Sequence, residues 1–477
     1  MAPLPVQQAR AYPETSTGVF VSLADFENAP DRPRGEQQVE YFRVVPSGKG
    51  ERQFVVNVTR TGAGAMEVTL PAGAKLEFQV PWLRDFGGYT LLSVALHSEV
   101  LRDDLRVTLT SSLGNWKSHR TLVLPGWNNV LIDIQRLKNM PDFDTRNVRS
   151  VVLEFADATE AVRFHLDDLM LIDNRREIQP VPEGVTLRKS GLDYTLTLPG
   201  LDKAIEIAQG PDGLWRLGDH QASFLLYGPA DSPVAGETER LGPMGERCVG
   251  RVKLLESNPV RIRIANTWYF PTRSGEWASL AVRQVRWEYA FYGDGRWVTQ
   301  VELNNSGGQE IRGVSITPPP PAMWHSYGQT RSVSDWTFQG PVRKWQWIFA
   351  PPGPRCEAMQ EGYVRPGRLV PTIADESASA EGDSDHDGFD ESEGCYFLAA
   401  KAGNCRFAFE PPAQGCGNPV FRVAGKWTGA VTVSSEGLAI RPTVRLEDGS
   451  VLFVLPGWIN RRTTVEVTGQ AGAEILP

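Results

Sequence analysis

Carboxylates recur at alternate positions in Asp383-x-Asp385-x-Asp387-Gly388, and Asp390, Glu391 and Glu393 follow at once. Alternate acids closed by a glycine that permits a tight turn are how oxygen-rich loops wrap a hard cation. The pattern predicts a Ca²⁺ loop with Asp383, Asp385, Asp387, Asp390 and Glu393 as ligands. It departs from an EF-hand in two respects. The twelfth position is Gly394, with Glu393 one residue early, and no helical pattern flanks the loop. The other reading is a solvated acidic loop, which the Ser and Ala at 377–380 favour.

A second group of residues could move protons. His325 and Tyr327 lie two apart, a spacing that places both on one face of a strand. As candidate catalytic bases they could take a proton α to a uronate carboxylate, provided cations neutralise the charge that develops. Arg331, Arg343, Lys344, Arg365 and Arg368 could supply those cations. Glycoside hydrolysis needs instead two carboxylates across the bond. Glu256, Glu288, Asp294 and Asp335 lie in the right stretch, but spacing does not pair them. No GxSxG, HExxH, Walker A or GxGxxG string occurs, and the six histidines show no metal spacing.

Indole rings are dense between Trp268 and Trp347. Pyranose C–H faces stack on such rings, so part of the set is expected to line a carbohydrate cleft and the rest to fill a core. Trp268, Trp324, Trp345 and Trp347 are the expected substrate-binding platform.

These residues need elements to position them. The chain has 477 residues, 41% of them hydrophobic and 22% charged, enough to bury two or three cores. Gly (46) and Pro (35) are abundant, which points to many turns and short strands. Net charge is −8, but residues 374–394 carry nine acids and no Lys or Arg, so the remainder is nearly balanced. No basic stripe suggests a nucleic-acid partner, and no apolar run is long enough for a membrane span. The N-terminus lacks the charged and apolar regions of a signal peptide and reads as a mature or recombinant start. Of the five cysteines, Cys395, Cys405 and Cys416 cluster, and either a disulfide among them or buried thiols fits that spacing.

Apolar residues alternate over short runs such as Asp104-Leu105-Arg106-Val107-Thr108-Leu109 and Arg261-Ile262-Arg263-Ile264. Period two, with turn residues every eight to twelve positions, predicts an all-β protein of stacked sheets. Only the surroundings of 135–140 suggest a helical turn. The polar, proline-bearing stretch 175–184 reads as a linker between a domain at 14–174 and one at 185–477, with 374–394 as an acidic loop of the second. Leu124-Pro125-Gly126-Trp127-Asn128 and Leu455-Pro456-Gly457-Trp458-Ile459 each read as a turn entering a strand. Arg286 to Tyr292, Gly293-Asp294-Gly295 and Arg296 to Leu303 read as a hairpin.

Asp25-Phe26-Glu27 near the start and Phe164-His165-Leu166-Asp167-Asp168-Leu169 near the end of 14–174 form a familiar layout. It resembles the jelly-roll carbohydrate-binding modules of the galactose-binding-like type. That resemblance implies an N-terminal jelly-roll β-sandwich with a structural Ca²⁺ at Glu27 and Asp168. Trp82, Tyr89, Trp116 and Trp127 are the rings that could meet a sugar there. The strand pattern of 185–477 is similar to the long antiparallel β-sandwich (supersandwich) of polysaccharide lyases and mutarotase-like proteins. Together these resemblances imply a secreted or cell-surface protein that acts on polysaccharide or oligosaccharide. The expectation is a lyase or a glycoside hydrolase, and the alternative is a glycan-binding or structural protein. Whether it forms an oligomer is left open.

Overall fold

The computed structural model describes residues 18–26, 42–45, 51–55, 57–80, 83–118, 120–207, 215–217, 220–227, 240–241, 249–269, 284–304, 313–317, 325–326, 342–375, 379–383, 385–401, 403–425 and 427–471. The chain forms two units, Met1–Glu177 with Arg188–Tyr194, and Ile178–Leu187 with Thr195–Pro477. Both are built from strands, in keeping with the alternation of the sequence.

The first unit is a sandwich of two antiparallel sheets. One runs, in spatial order, β10 (Gly126–Asp133), β6 (Leu91–Ser98), β12 (Val162–Asp173), β4 (Ala65–Leu70) and β3 (Glu51–Val55), with β1 (Val19–Ala24) also on β12. The other runs β2 (Phe42–Val45), β5 (Lys75–Gln79), β11 (Val148–Phe155), β7 (Arg102–Ser111) and β8 (Asn115–Lys117), with β9 (Thr121–Val123) also on β7. Leu105, Val107 and Leu109 of β7 and Val151, Leu153 and Phe155 of β11 meet Leu92, Val94 and Leu96 of β6 in one core. Along β5, β7 and β11 every second side chain points inward, as a pleated sheet requires.

Strand β12 breaks that period. Phe164, Leu166, Leu169 and Leu171 are all core residues, although Leu166 and Leu169 are three apart. A strand can bury both only through a bulge. The register against β6 shifts between Asp167 and Leu169, and Asp168 takes φ +43°. Two carboxylates are thereby set at one point on a strand that is hydrophobic on both sides of them.

The second unit contains a six-stranded antiparallel sheet in the order Val249–Ser257, Arg261–Tyr269, Gln284–Tyr292, Trp297–Asn304, Val342–Phe349, His325–Ser326. The expected hairpin is its centre: Phe291 pairs with Trp297 across the turn, and Gly295, at φ +85°, donates to the Tyr292 carbonyl. Two five-stranded sheets follow, sharing the core of Tyr396, Phe407, Phe421, Val433, Phe453 and Val465. Ala290, Tyr292, Val298 and Ile348 of the six-stranded sheet join that core. One helix, Cys356–Val364, was not legible as a periodic pattern, and the turn near 135–140 is the short helix Ile134–Leu137. Among the described residues no helix is long and apolar enough to cross a membrane. Cys356, Cys395, Cys405 and Cys416 are free thiols, so of the two readings left open for that cluster the structure takes the second, and Cys248 lies outside the described residues.

Candidate functional site

The acidic loop folds on itself. Asp383 is 5% exposed and accepts hydrogen bonds from the backbone N–H groups of Asp387 (3.2 Å) and Gly388 (3.0 Å). Asp387 in turn accepts from the Phe389 N–H at 2.8 Å. Asp383, Asp385 and Asp387 each bring a carboxylate oxygen to within 4.8 Å of the others. Burial first, and then the charges of Asp385 and Asp383, push the Asp387 carboxyl up to about 6. The donor set, three convergent carboxylates, is of the kind a hard divalent cation takes.

Two expected ligands do not belong to this cluster. Asp390 turns onto its own loop, accepting from the Ser392 hydroxyl (2.6 Å) and the Glu393 N–H (3.0 Å). Glu393 faces three guanidinium groups instead: Arg261 at 2.7 Å, Arg263 at 2.9 Å and Arg422 at 3.1 Å. Burial raises the Glu393 carboxyl, but the three arginines outweigh it and hold the group at about 2. Arg261 has no exposed surface and also pairs with Glu256 at 3.0 Å. Alternation along the chain suggested ligands here, and the strand beginning at Cys395 draws them away into the core.

The expected aromatic platform is corrected likewise. Trp268 and Trp347 are only 2% and 4% exposed, so neither offers a face to a sugar. Trp287, Tyr289 and Phe291 alternate on one face of a strand, and the register adds Trp297, Phe349 and Trp347 as a continuous buried ladder. Trp297 stacks on Phe349 at 4.5 Å and Trp287 on Trp347 at 6.0 Å. Trp345 pairs with Val301 in the same sheet. His325 pairs with Ile348 at its edge, while Trp324, Tyr327, Asp335 and Glu27 lie outside the described residues. Of the carboxylates considered for hydrolysis, Glu288 pairs with Arg263 at 2.8 Å and Asp294 with Arg296 at 3.2 Å.

A more coherent arrangement lies on the outward face of the first unit. In the sheet register Trp127 of β10 stands opposite His97 of β6, His97 opposite His165 of β12, and His165 opposite Glu67 of β4. The four side chains form one row across four strands. Ring centroids are 5.3 Å apart for Trp127 and His97 and 5.4 Å for the two histidines. His165 Nε2 lies 3.2 Å from a Glu67 oxygen, which also pairs with Arg163 at 2.5 Å. His165 and Glu67 are buried as a floor, while Trp127 and His97 are half-buried and Arg163 is exposed. Burial, and then the adjacent imidazole, lowers the basicity of His97. Burial also lowers that of His165, against the pull of Glu67. The Nδ1 atoms of both rings are buried without a hydrogen-bond partner among the described residues.

The local sequence explains how Trp127 reaches this row. Pro125 is followed by Gly126 at φ +93°, a conformation that favours glycine. The Asn128 side chain then closes the turn, accepting from the Leu124 N–H (2.9 Å) and donating to the carbonyls of Leu124 (2.8 Å) and Gly126 (2.9 Å). Tyr89 and Trp116 pack against the main core and Trp127 against a smaller cluster of Leu91, Ala95, Met170 and Ile172, while Trp82 lies outside the described residues.

Beside the row sit the two carboxylates of the β12 bulge. Asp167 accepts from the N–H groups of Arg60 (2.8 Å) and Thr61 (3.1 Å), and Asp168 accepts from the Thr61 hydroxyl at 2.5 Å. Both acids thus converge on one threonine, buried to 0% and 3% exposure. Among the described residues Asp167 Oδ1 has no hydrogen-bond partner. Burial first, and the Asp168 charge second, push Asp167 up to about 8. An orphaned buried carboxylate oxygen beside a second carboxylate fits a bound cation.

No family model matches the chain, and no curated protein matches it. Among solved structures it is similar to a family 11 carbohydrate-binding module of Clostridium thermocellum (16% identity, 33% of this chain and 96% of that one, TM-score 0.25). It is also similar to a tandem family 22 module pair of Paenibacillus barcinonensis (9% identity, 72% and 88% covered, TM-score 0.24). A third is a β-1,2-glucanase of Parabacteroides distasonis (11% identity, 59% and 37% covered, TM-score 0.21). The modules that the N-terminal layout resembles are thus among the similar structures. At these identities and TM-scores they assign no role to any residue of this chain.

Proposed function

We propose that this is a carbohydrate-active protein that holds glycan on the outward face of its first unit. The observation that carries the reading is the row Trp127–His97–His165–Glu67, with Arg163 at its end. An indole at the rim offers a stacking surface for a pyranose ring, and the exposed Arg163 guanidinium at the other end of the row can donate hydrogen bonds to hydroxyls, with the buried His165 and Glu67 as its support. Trp268, Trp287, Trp297 and Trp347 of the second unit are buried and offer no face to a sugar, which favours the first-unit row as the place where a ring meets glycan. The test is a panel of neutral and uronate-rich polysaccharides, followed by retention on affinity gels and by release of reducing ends and ultraviolet absorbance. Retention without release supports binding. Release with new absorbance would mean β-elimination, and release without it hydrolysis; either would overturn the reading that the protein only binds.

Calcium belongs to the same proposal. Asp383, Asp385 and Asp387 would hold one ion, and Asp167 with Asp168 another, in both cases to fix a loop rather than to take part in chemistry. Extracytoplasmic calcium is abundant enough for sites of modest affinity, which suits a secreted or cell-surface location. The expected result is a higher melting midpoint in CaCl₂ than in EDTA, worth about 3 kcal/mol at a hundredfold excess over Kd. Asp385→Asn and Asp168→Asn should each remove part of that rise. Identical midpoints in CaCl₂ and EDTA would contradict both sites.

A further inference from the structure

The second unit contains a separate cleft, about 370 Å³ in volume, walled by Pro182, Pro259, Pro442 and Pro456 together with Val260 and Val454. That volume lies within the range of small-ligand pockets, which are mostly apolar with a few placed polar groups. Here the polar groups are tied to each other. Arg296, 9% exposed, pairs with Asp294 at 3.2 Å and donates to the Asn418 carbonyl at 2.6 Å. The Asn418 amide reaches Asp294 at 3.5 Å, and its side-chain oxygen accepts from the Gly457 N–H at 2.7 Å. Asn418 itself takes φ +43°. A carboxylate, an amide and a guanidinium are therefore fixed at the wall before a ligand arrives, which reduces the ordering cost of binding. Arg441 and Glu183 stand at the rim, so the two cations and two anions of the cleft balance.

We propose that this cleft binds a neutral saccharide of one or two rings, independently of the row on the first unit. Rigid proline rings present C–H surface to the ring faces of a sugar. Fixed planar polar groups match its hydroxyls, and the balanced charge gives no preference for an ionic ligand. An organic anion would need unpaired cations, and Arg296 is already paired, which leaves only Arg441 at the exposed rim.

The experiment is calorimetric titration of the full chain with cellobiose, laminaribiose and xylobiose, beside Asn418→Gly, Arg441→Ala and Trp127→Ala. Glycine accepts the positive φ of position 418, and Arg441 is exposed, so both variants should fold, with a melting profile beside each titration as the check. The expected result is saturable binding of at least one disaccharide, weakened about tenfold by Asn418→Gly or Arg441→Ala and still present in Trp127→Ala. Absence of binding by all three sugars would overturn the proposal. So would binding that Trp127→Ala removes and the two cleft variants leave intact. Polysaccharide retention is read separately, so failure of the first-unit row would show there and not in the disaccharide titrations of the cleft variants.

Discussion

Glu393→Gln should destabilise the protein by about 3–5 kcal/mol, the cost expected when one partner leaves a buried ionic cluster. Arg261 is fully buried, and Arg263 and Arg422 both lose their shared anion. The acid side of the pH profile provides a second measure. Glu393 is held at about 2, below its ordinary 4.5, so its charge stabilises the fold. That contribution is complete above the unfolded value near 4.5 and is lost as pH falls toward 2, amounting to about 3 kcal/mol. Urea unfolding at neutral pH and again near pH 3 should therefore show the wild type approaching the variant. As a control, Glu436→Gln breaks the exposed pair with Arg461 (3.1 Å) and should cost about 1 kcal/mol or less. Equal effects of the two substitutions would refute the buried-cluster account.

Trp127→Ala should weaken glycan retention about thirtyfold, the effect of losing one dominant aromatic contact of roughly 2 kcal/mol. Trp127 lies at the end of the row, on edge strand β10, and it is half-buried against His97 rather than set in the main core. Trp127 also packs against the small buried cluster of Leu91, Ala95, Met170 and Ile172, so its removal should lower the melting midpoint modestly. Trp116→Ala provides the contrast, because Trp116 packs against the core of the sandwich and should affect stability more than retention. Retention by Trp127→Ala equal to wild type would remove the row as the binding face.

What could be read from the chain followed from local pattern. Alternation in β7 and the Gly-Asp-Gly turn are local, and both appear as expected. The bulge at Asp168 was also implicit, since Leu166 and Leu169 cannot share a face without it. The row on the first unit was not readable. His97 and His165 come together only through the β6–β12 register, and nothing in their own neighbourhoods signals that pairing. The aromatic stretch misled for a related reason. Density of rings does not say whether a face is covered, and Trp287, Tyr289 and Phe291 alternate as a buried ladder does. Glu393 continued an acidic run by position, but its neighbours in space are arginines from two distant strands.

The most direct test of the glycan-face account is amide hydrogen exchange on the full chain, with and without the polysaccharide it retains most tightly. β10 forms the sheet edge, so ligand lying along the row should slow exchange in Gly126–Asp133 and in the turn that begins at Leu124. Protection there, absent in Trp127→Ala, is the predicted result. Protection confined to Arg261–Asn304 of the second unit, with β10 unchanged, would contradict it.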